Sequence, residues 1–195
     1  EDTSNFAVMN PLDNVGTTVS NGNLNITANS GSFQTTRSTF VIPNGSWYCE
    51  ATSLVGIGNG NTSIGIALQS TPLSSISGGS FLGVTSTSWG YSSNGNIYNN
   101  NSVAVATGVT YVPNDVIGVS FTGSELKFYK NNTLVGTIAS IPNGNYCITT
   151  SVYSDNSLAI NFGQRPFAYT PPTGFKKLNT FNLPDSTITD GSEYF

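Results

Sequence analysis

Histidine is absent from the whole 195-residue chain. Nucleophilic catalysis needs a base beside the Ser, Thr or Cys, so the Ser-His-Asp and Cys-His arrangements are excluded. Charge is scarce as well. Asp, Glu, Lys and Arg make up 8% of the residues, against about a quarter in an ordinary soluble domain. Six basic residues against ten acidic ones give a net charge of −4 and no basic patch, so nucleic acid is not an expected partner. No apolar run approaches the roughly 18 residues of a membrane helix, and no membrane insertion is expected. The two cysteines, Cys49 and Cys147, are too few for a disulfide scaffold. Spacing says nothing about proximity, so one bridge and two free thiols both stay open. No leader is recognisable at Glu1, which reads as a mature, processed or excised start.

Gly, Ser, Thr and Asn fill the place of the missing charge. The outward faces of the strands are therefore expected to be rich in hydroxyls and amides, as suits extracellular or virion-exposed β-proteins. The clearest stretch is NDVIGVSFTGSELKFYKNNTLVGTI, residues 114–138. Ile117, Val119 and Phe121 alternate with polar or small residues, as do Leu126 and Phe128. Successive side chains of a strand point to opposite faces, so this period of two predicts strands with one buried face. Leu134 and Ile138 are expected on one side of the third strand. Gly123-Ser124 and Asn131-Asn132 supply the positive φ that tight hairpin turns need. The apolar faces must be covered, which predicts a second sheet.

Short alternating runs recur on both sides of these hairpins: NLNITA, the run through Phe40 and Ile42, GSWYCEATSLVGIG, SIGIALQ, SWGYSSNGNIYNN, NYCITTSVY and LAINF. By alternation Cys147 falls on the polar side of its strand. Turn signals come every 8–12 residues or so, the spacing of a β-sandwich. Residues 71–83 form a Ser/Gly loop long enough to carry a role. After Gly163 the pattern breaks, and the prolines of GQRPFAYTPPTGFKKLNTFNLP forbid central strand pairing. This part reads as an extended tail lying on the sandwich through Phe167, Tyr169 and Phe175, with residues 185–195 as a linker.

The order of these pieces resembles the SPRY domain, called B30.2 in its longer form, over residues 22–167. GSWYCEA is similar to the family's G-K-x-Y-W-E-V, and SIGIA, LGVTSTSWGYSSNGNIYNN, NDVIGVSF, ELKFYKNNTLVGTI and LAINFGQRPF follow in the family's order. Cys49 departs from the usual aromatic. NPLDN, SNGNL and PFAYTPPTGFKKLNTFNLPDSTI resemble SPRY modules of tailed-bacteriophage structural proteins, where more chain follows, so SEYF looks like a cut. The resemblance implies an all-β fold, a two-sheet antiparallel sandwich of concanavalin-like jelly-roll type with an N-terminal strand and an extended Pro-rich tail. The expected divisions are 1–23 for the N-terminal extension, 24–167 for the sandwich and 168–195 for the tail.

The resemblance further implies a non-catalytic module, without cofactor or metal, that binds through loops at one end. It would serve as an adhesion element of a phage virion protein: a tail fibre, spike or capsid decoration. The expected partners are a host cell-surface glycan or protein, other virion subunits, or further copies through the parent protein, and the expected location is the virion or extracellular space. A purely architectural spacer and a lectin-like or glycan-processing sandwich are the rival readings. Carried over by position, the binding loops are residues 29–35, 78–81 and 152–155, and contacts are expected to concentrate on 29–35, 78–81, 91–96 and 153–156. The candidate binding residues are Tyr153, Ser154, Asp155, Tyr91, Asn94, Gly79, Ser80 and Phe81. Tyr153 reads either as a ring that stacks on a ligand or as a half-buried edge residue. Trp89 reads as core, whereas Tyr91 is expected to line the binding surface. Of the internal acids Asp13, Glu50, Asp115, Glu125 and Asp155, Glu50 matches the family's strand glutamate and reads as structural. Asp115 and Glu125 read as solvated turn residues. An oxygen-only calcium site at Asp155 is the one metal reading that the acids leave.

Overall fold

Short alternating runs punctuated by Gly, Asn and Pro favour strands over helices. The computed structural model, which describes residues 4–55 and 59–183, is built almost wholly of them. The strands are β1 (Met9–Val15), β2 (Thr18–Ser20), β3 (Asn25–Thr27), β4 (Phe33–Val41), β5 (Trp47–Val55), β6 (Thr62–Leu68), β7 (Ser88–Ser92), β8 (Asn96–Asn99) and β9 (Ser102–Ala106). They continue with β10 (Val116–Phe121), β11 (Leu126–Lys130), β12 (Thr133–Ile138), β13 (Tyr146–Tyr153), β14 (Ser157–Asn161) and the short β15 (Lys176–Lys177). One sheet runs β1-β4-β13-β6-β7-β8-β9, the other β12-β11-β10-β5-β14-β3-β2. Neighbours on both paths are antiparallel, and the two sheets pack face to face as a sandwich.

Period-two alternation places the core as the sequence predicts. Ile117, Val119, Phe121, Leu126, Phe128, Ile160 and Phe162 are all buried. Aromatic pairs bridge the sheets, with Tyr91 against Phe128 at 5.5 Å and Phe121 against Tyr146 at 5.6 Å between centroids. The hairpin turns form at the expected residues, Asn131 and Asn132 taking φ of 46° and 70°. Leu134 does not join Ile138 on the core side. A register shift after Phe128 pairs Phe128 with Gly136 but Tyr129 with Leu134, so Leu134 turns outward and is half exposed.

Each sheet has part of its outer face covered by the chain itself. Over the first sheet lies the connection from β6 to β7, whose Leu73, Ile76 and Leu82 pack with Ala67. The face beneath is made of small residues. A Cβ on Gly90 would meet the Leu82 carbonyl oxygen at 2.6 Å, so only glycine admits the cover here. Thr35, Ser63, Ser88, Ser92, Thr149 and Ser151 are buried on this face. The hydroxyl-rich strand faces read as solvent-exposed are therefore in good part hidden. Arg37 fastens the cover. Its Nη1 donates to the carbonyls of Leu68, Gln69 and Thr71 at 2.8–2.9 Å, while Nε and Nη2 hold both oxygens of Asp13 on β1.

Over the second sheet lies the tail. Glu50, buried in the middle of β5, accepts the backbone N–H groups of Ala168 at 2.8 Å and Tyr169 at 3.0 Å and the Tyr48 hydroxyl at 3.2 Å. Phe167 stands edge-on to Tyr48 at 5.1 Å. Asn161 donates to the carbonyls of Arg165 and Pro166. Past the prolines the tail does pair with a central strand, because Lys176–Lys177 lies parallel to Trp47 and Tyr48 of β5. Leu178 then enters the main core, and Thr180 donates its N–H to the Asn5 carbonyl. The chain thus folds into the sandwich beyond the boundary read at Phe167. The expected linker, residues 185–195, lies outside the described residues.

Two outcomes follow. Leu126→Ala or Phe128→Ala lowers the free energy of unfolding by about 2–5 kcal/mol in urea titrations, through lost transfer energy and the cavity left behind. Ending the chain after Gly163 lowers the melting temperature, since it removes the tail's anchors on Glu50 and Asn161; an unchanged melting temperature would make the tail a mere linker.

Candidate functional site

The ends of β4, β13, β6, β7 and β8 meet at one end of the sandwich, and the loops that join them gather there. Two backbone hydrogen bonds tie the start of β4 to the cover: Phe33 N–H to the Gly78 carbonyl at 3.0 Å and Gly78 N–H to the Phe33 carbonyl at 2.7 Å. Ser154 N–H donates to the Ser30 carbonyl at 3.0 Å, tying the β13–β14 turn to the loop before β4. Loops 29–35, 78–81 and 153–156 thus converge.

Half-buried rings cross this end in a row. Tyr153 lies 5.2 Å from Phe33, Phe33 lies 5.8 Å from Phe81, and Phe81 lies 5.0 Å from Tyr98, centroid to centroid. Beside the row is a cleft of about 290 Å³ lined by Phe33, Asn59, Gly60, Asn61, Phe81, Ser92, Asn94 and Tyr98. The Tyr98 hydroxyl accepts the side-chain amides of Asn94 at 2.9 Å and Asn96 at 3.2 Å. Ser154 and Asp155 are exposed at the β13–β14 turn, with φ of 43° and 59°. Gly79 and Ser80 lie on the cover loop next to Phe81, the first exposed and the second half-buried.

Tyr91 is a correction. It is wholly buried, packs on Tyr111 and Phe128, and donates its hydroxyl to the Val109 carbonyl. It pairs with Ile64, whose side chain faces the core, and directly paired residues share a face. Tyr98 takes the surface position instead. It follows the buried Ile97 by one residue and so points the other way. Phe33 lies within a loop already singled out, as the lone aromatic among Ser and Gly. Tyr98, Asn59 and Asn61 were not anticipated; alternation from Ile97 is the signal that reveals Tyr98.

Three of the acids have structural partners. Asp13 pairs with Arg37, Glu125 with Lys127 at 2.6 Å, and Glu50 holds the tail. Asp115 is more than a solvated turn residue. Burial pushes its carboxyl up, yet hydrogen bonds from Val112 N–H, Asn131 and Lys130 outweigh that and hold it below the usual range. Among the described residues no three His, Cys, Asp or Glu side chains form a metal-holding group.

The family model for the SPRY domain matches residues 46–165, well over half of the chain. The chain belongs to the SPRY domain family. Its fold is similar to that of the SPRY domain of human HERC1, at 18% identity and a TM-score of 0.68, over 81% of this chain and 99% of that one. The PSpry domain of TRIM65 is similar at 12% identity and a TM-score of 0.61, over 80% and 89% of the two chains. Stonustoxin matches at 18% identity and a TM-score of 0.59, over 80% of this chain and 27% of that one. At such identities these structures establish the fold alone. No curated protein matches the chain by sequence.

SPRY domains typically bind proteins, and the two thiols here are poor nucleophiles. Both cysteines are free and buried, Cys49 in the core and Cys147 beneath the cover. Burial, then the Glu50 carboxylate, pushes the Cys49 thiol far up. Burial pushes Cys147 up to about 11 despite the nearby Arg37 guanidinium. The thiolate is the reactive form. At pH 8 the native protein is therefore expected to leave a thiol-titrating disulfide reagent unreacted, with both thiols appearing only on unfolding. Rapid reaction of either in the native state would contradict this burial.

Proposed function

We propose that this SPRY domain is a non-catalytic binding module whose partner docks on the end that carries Tyr153, Phe33, Phe81 and Tyr98, serving adhesion within a phage virion protein. The observation that carries the binding reading is the row of half-exposed rings held at strand ends and on the cover loop by a rigid sandwich. Rings of this kind bury much area at low conformational cost, and the Gly, Ser and Asn around them supply adaptable hydrogen bonds. The loops are pinned to strands by backbone hydrogen bonds, so little ordering remains to oppose binding. The virion and extracellular assignment, with a host-surface component or neighbouring virion subunit as partner, rests on the sequence resemblance of NPLDN, SNGNL and the tail to phage modules. The built-in tail is consistent with it, since Phe167, Ala168 and Tyr169, at the start of that phage-like segment, are fastened to Tyr48 and Glu50.

Selection from a yeast-displayed random peptide library and screening on a glycan array, both with the purified chain, test the binding reading. Any binder recovered is expected to weaken by about 1–3 kcal/mol with Tyr153→Ala or Phe81→Ala. Phe181→Ser, an exposed ring of the tail beside the β4–β5 turn at the other end of the sandwich, should leave it unchanged. Binders that ignore the ring changes and respond to Phe181, or no binder of either kind, would refute the assignment.

A further inference from the structure

We infer that the cleft beside Phe81 and Tyr98 takes an uncharged, hydroxyl-rich glycan. This names a ligand class for the binding end proposed above and rests on that proposal. The first observation is the Tyr98 hydroxyl. It accepts two amide hydrogen bonds, from Asn94 and Asn96, which take up its acceptor capacity. Its own proton is left to donate, polarised by the two bonds it receives. Tyr98 lines the cleft, so a ligand seated there can offer an acceptor oxygen to that proton.

The second observation is what stands next to that donor. The Phe81 ring lies 5.0 Å from the Tyr98 ring, centroid to centroid, and is set edge-on at 78°, followed by Phe33 and Tyr153 at similar intervals. A sugar ring presents hydroxyl oxygens along its edge and a C–H face that packs on an aromatic, which suits a donor set beside a row of rings. The remaining wall is Asn59, Gly60, Asn61 and Ser92. No residue lining the cleft is charged, and loops 29–35, 78–81, 91–96 and 153–156 carry only Asp155. An ionic ligand would find no counter-charge in the wall.

The third observation weighs against an extended peptide. Such peptides commonly add a strand to an open sheet edge. The strands around the cleft, β4, β13, β6, β7 and β8, all have partners on both sides. Recognition here rests on side chains and loop backbone, not on an added strand.

The test is calorimetric titration of the whole chain with neutral oligomers of glucose, mannose, galactose and N-acetylglucosamine, with sialylated and uronic-acid oligomers, and with peptides from a random library. At least one neutral oligomer is expected to bind, with an affinity that is little altered by raised salt. Tyr98→Phe keeps the ring and removes the donor; it should weaken that binding roughly tenfold, the size of one hydrogen bond, with the domain still folded and its melting temperature lowered only by the loss of the two amide bonds from Asn94 and Asn96. Asn61→Ala, on the opposite wall, should weaken it too. Preference for acidic oligomers, neutral binding untouched by Tyr98→Phe, or no neutral binding at all would overturn the inference. If only peptides bind, and do so through Phe81 and Tyr153, the glycan class falls and the binding end stands. Ligands that bind away from the rings would remove both.

Discussion

Two buried charges hold the covers of this sandwich in place. Taking a charge out of water is costly unless it is paired and hydrogen-bonded. Arg37 meets that demand with the carboxylate of Asp13 and three backbone carbonyls of the β6–β7 connection. Glu50 meets it with two backbone amides of the tail and the Tyr48 hydroxyl. The arrangement is complementary: on one sheet a cation collects carbonyls, on the other an anion collects amides. Burial, reinforced by the Glu50 carboxylate, pushes the Tyr48 phenol well above its usual range, so it remains a donor to that carboxylate. Each cover is thereby fixed where its own backbone would otherwise be short of partners.

The covers also explain how so weakly charged a chain keeps a defined surface. Small polar side chains on the outer face of the first sheet lie under Leu73, Ile76 and Leu82. Glycine at position 90 leaves room for the close approach of Leu82. The same connection carries Phe81 to the end of the sandwich, where Gly78 is bonded to Phe33. Fastening the cover and positioning the row of rings are therefore one structural act. A long connection that looks like a flexible insertion is the element that builds the candidate site.

Much of this was legible in the sequence, because a period of two records burial on one face. The core of β10, β11 and β14, the Asn-Asn turn and the convergence of three loops all follow from alternation, turn chemistry and the family resemblance. The errors are errors of face and of partner. Tyr91 follows the core residue Trp89 by two positions and so shares its face, while Tyr98 follows the buried Ile97 by one and does not. Leu134 was misplaced because a register shift is invisible in composition. The pairing of Lys176–Lys177 with β5 was missed because two charged residues after a Pro-rich stretch carry no strand pattern. Glu50 was readable as structural, but what it holds lies more than a hundred positions along the chain, and no local pattern announces such a contact.

The most direct test of the fastening by buried charge is hydrogen–deuterium exchange, resolved along the chain, in the wild type and in Glu50→Gln. Replacing the carboxylate removes its charge and one strong acceptor while nearly preserving its volume. Faster exchange at the amides of Ala168 and Tyr169 and through the tail to Lys177, with β10 and β11 still protected, is the result this account predicts. Unchanged protection of the tail, or an equal loss of protection through the whole sandwich, would contradict it.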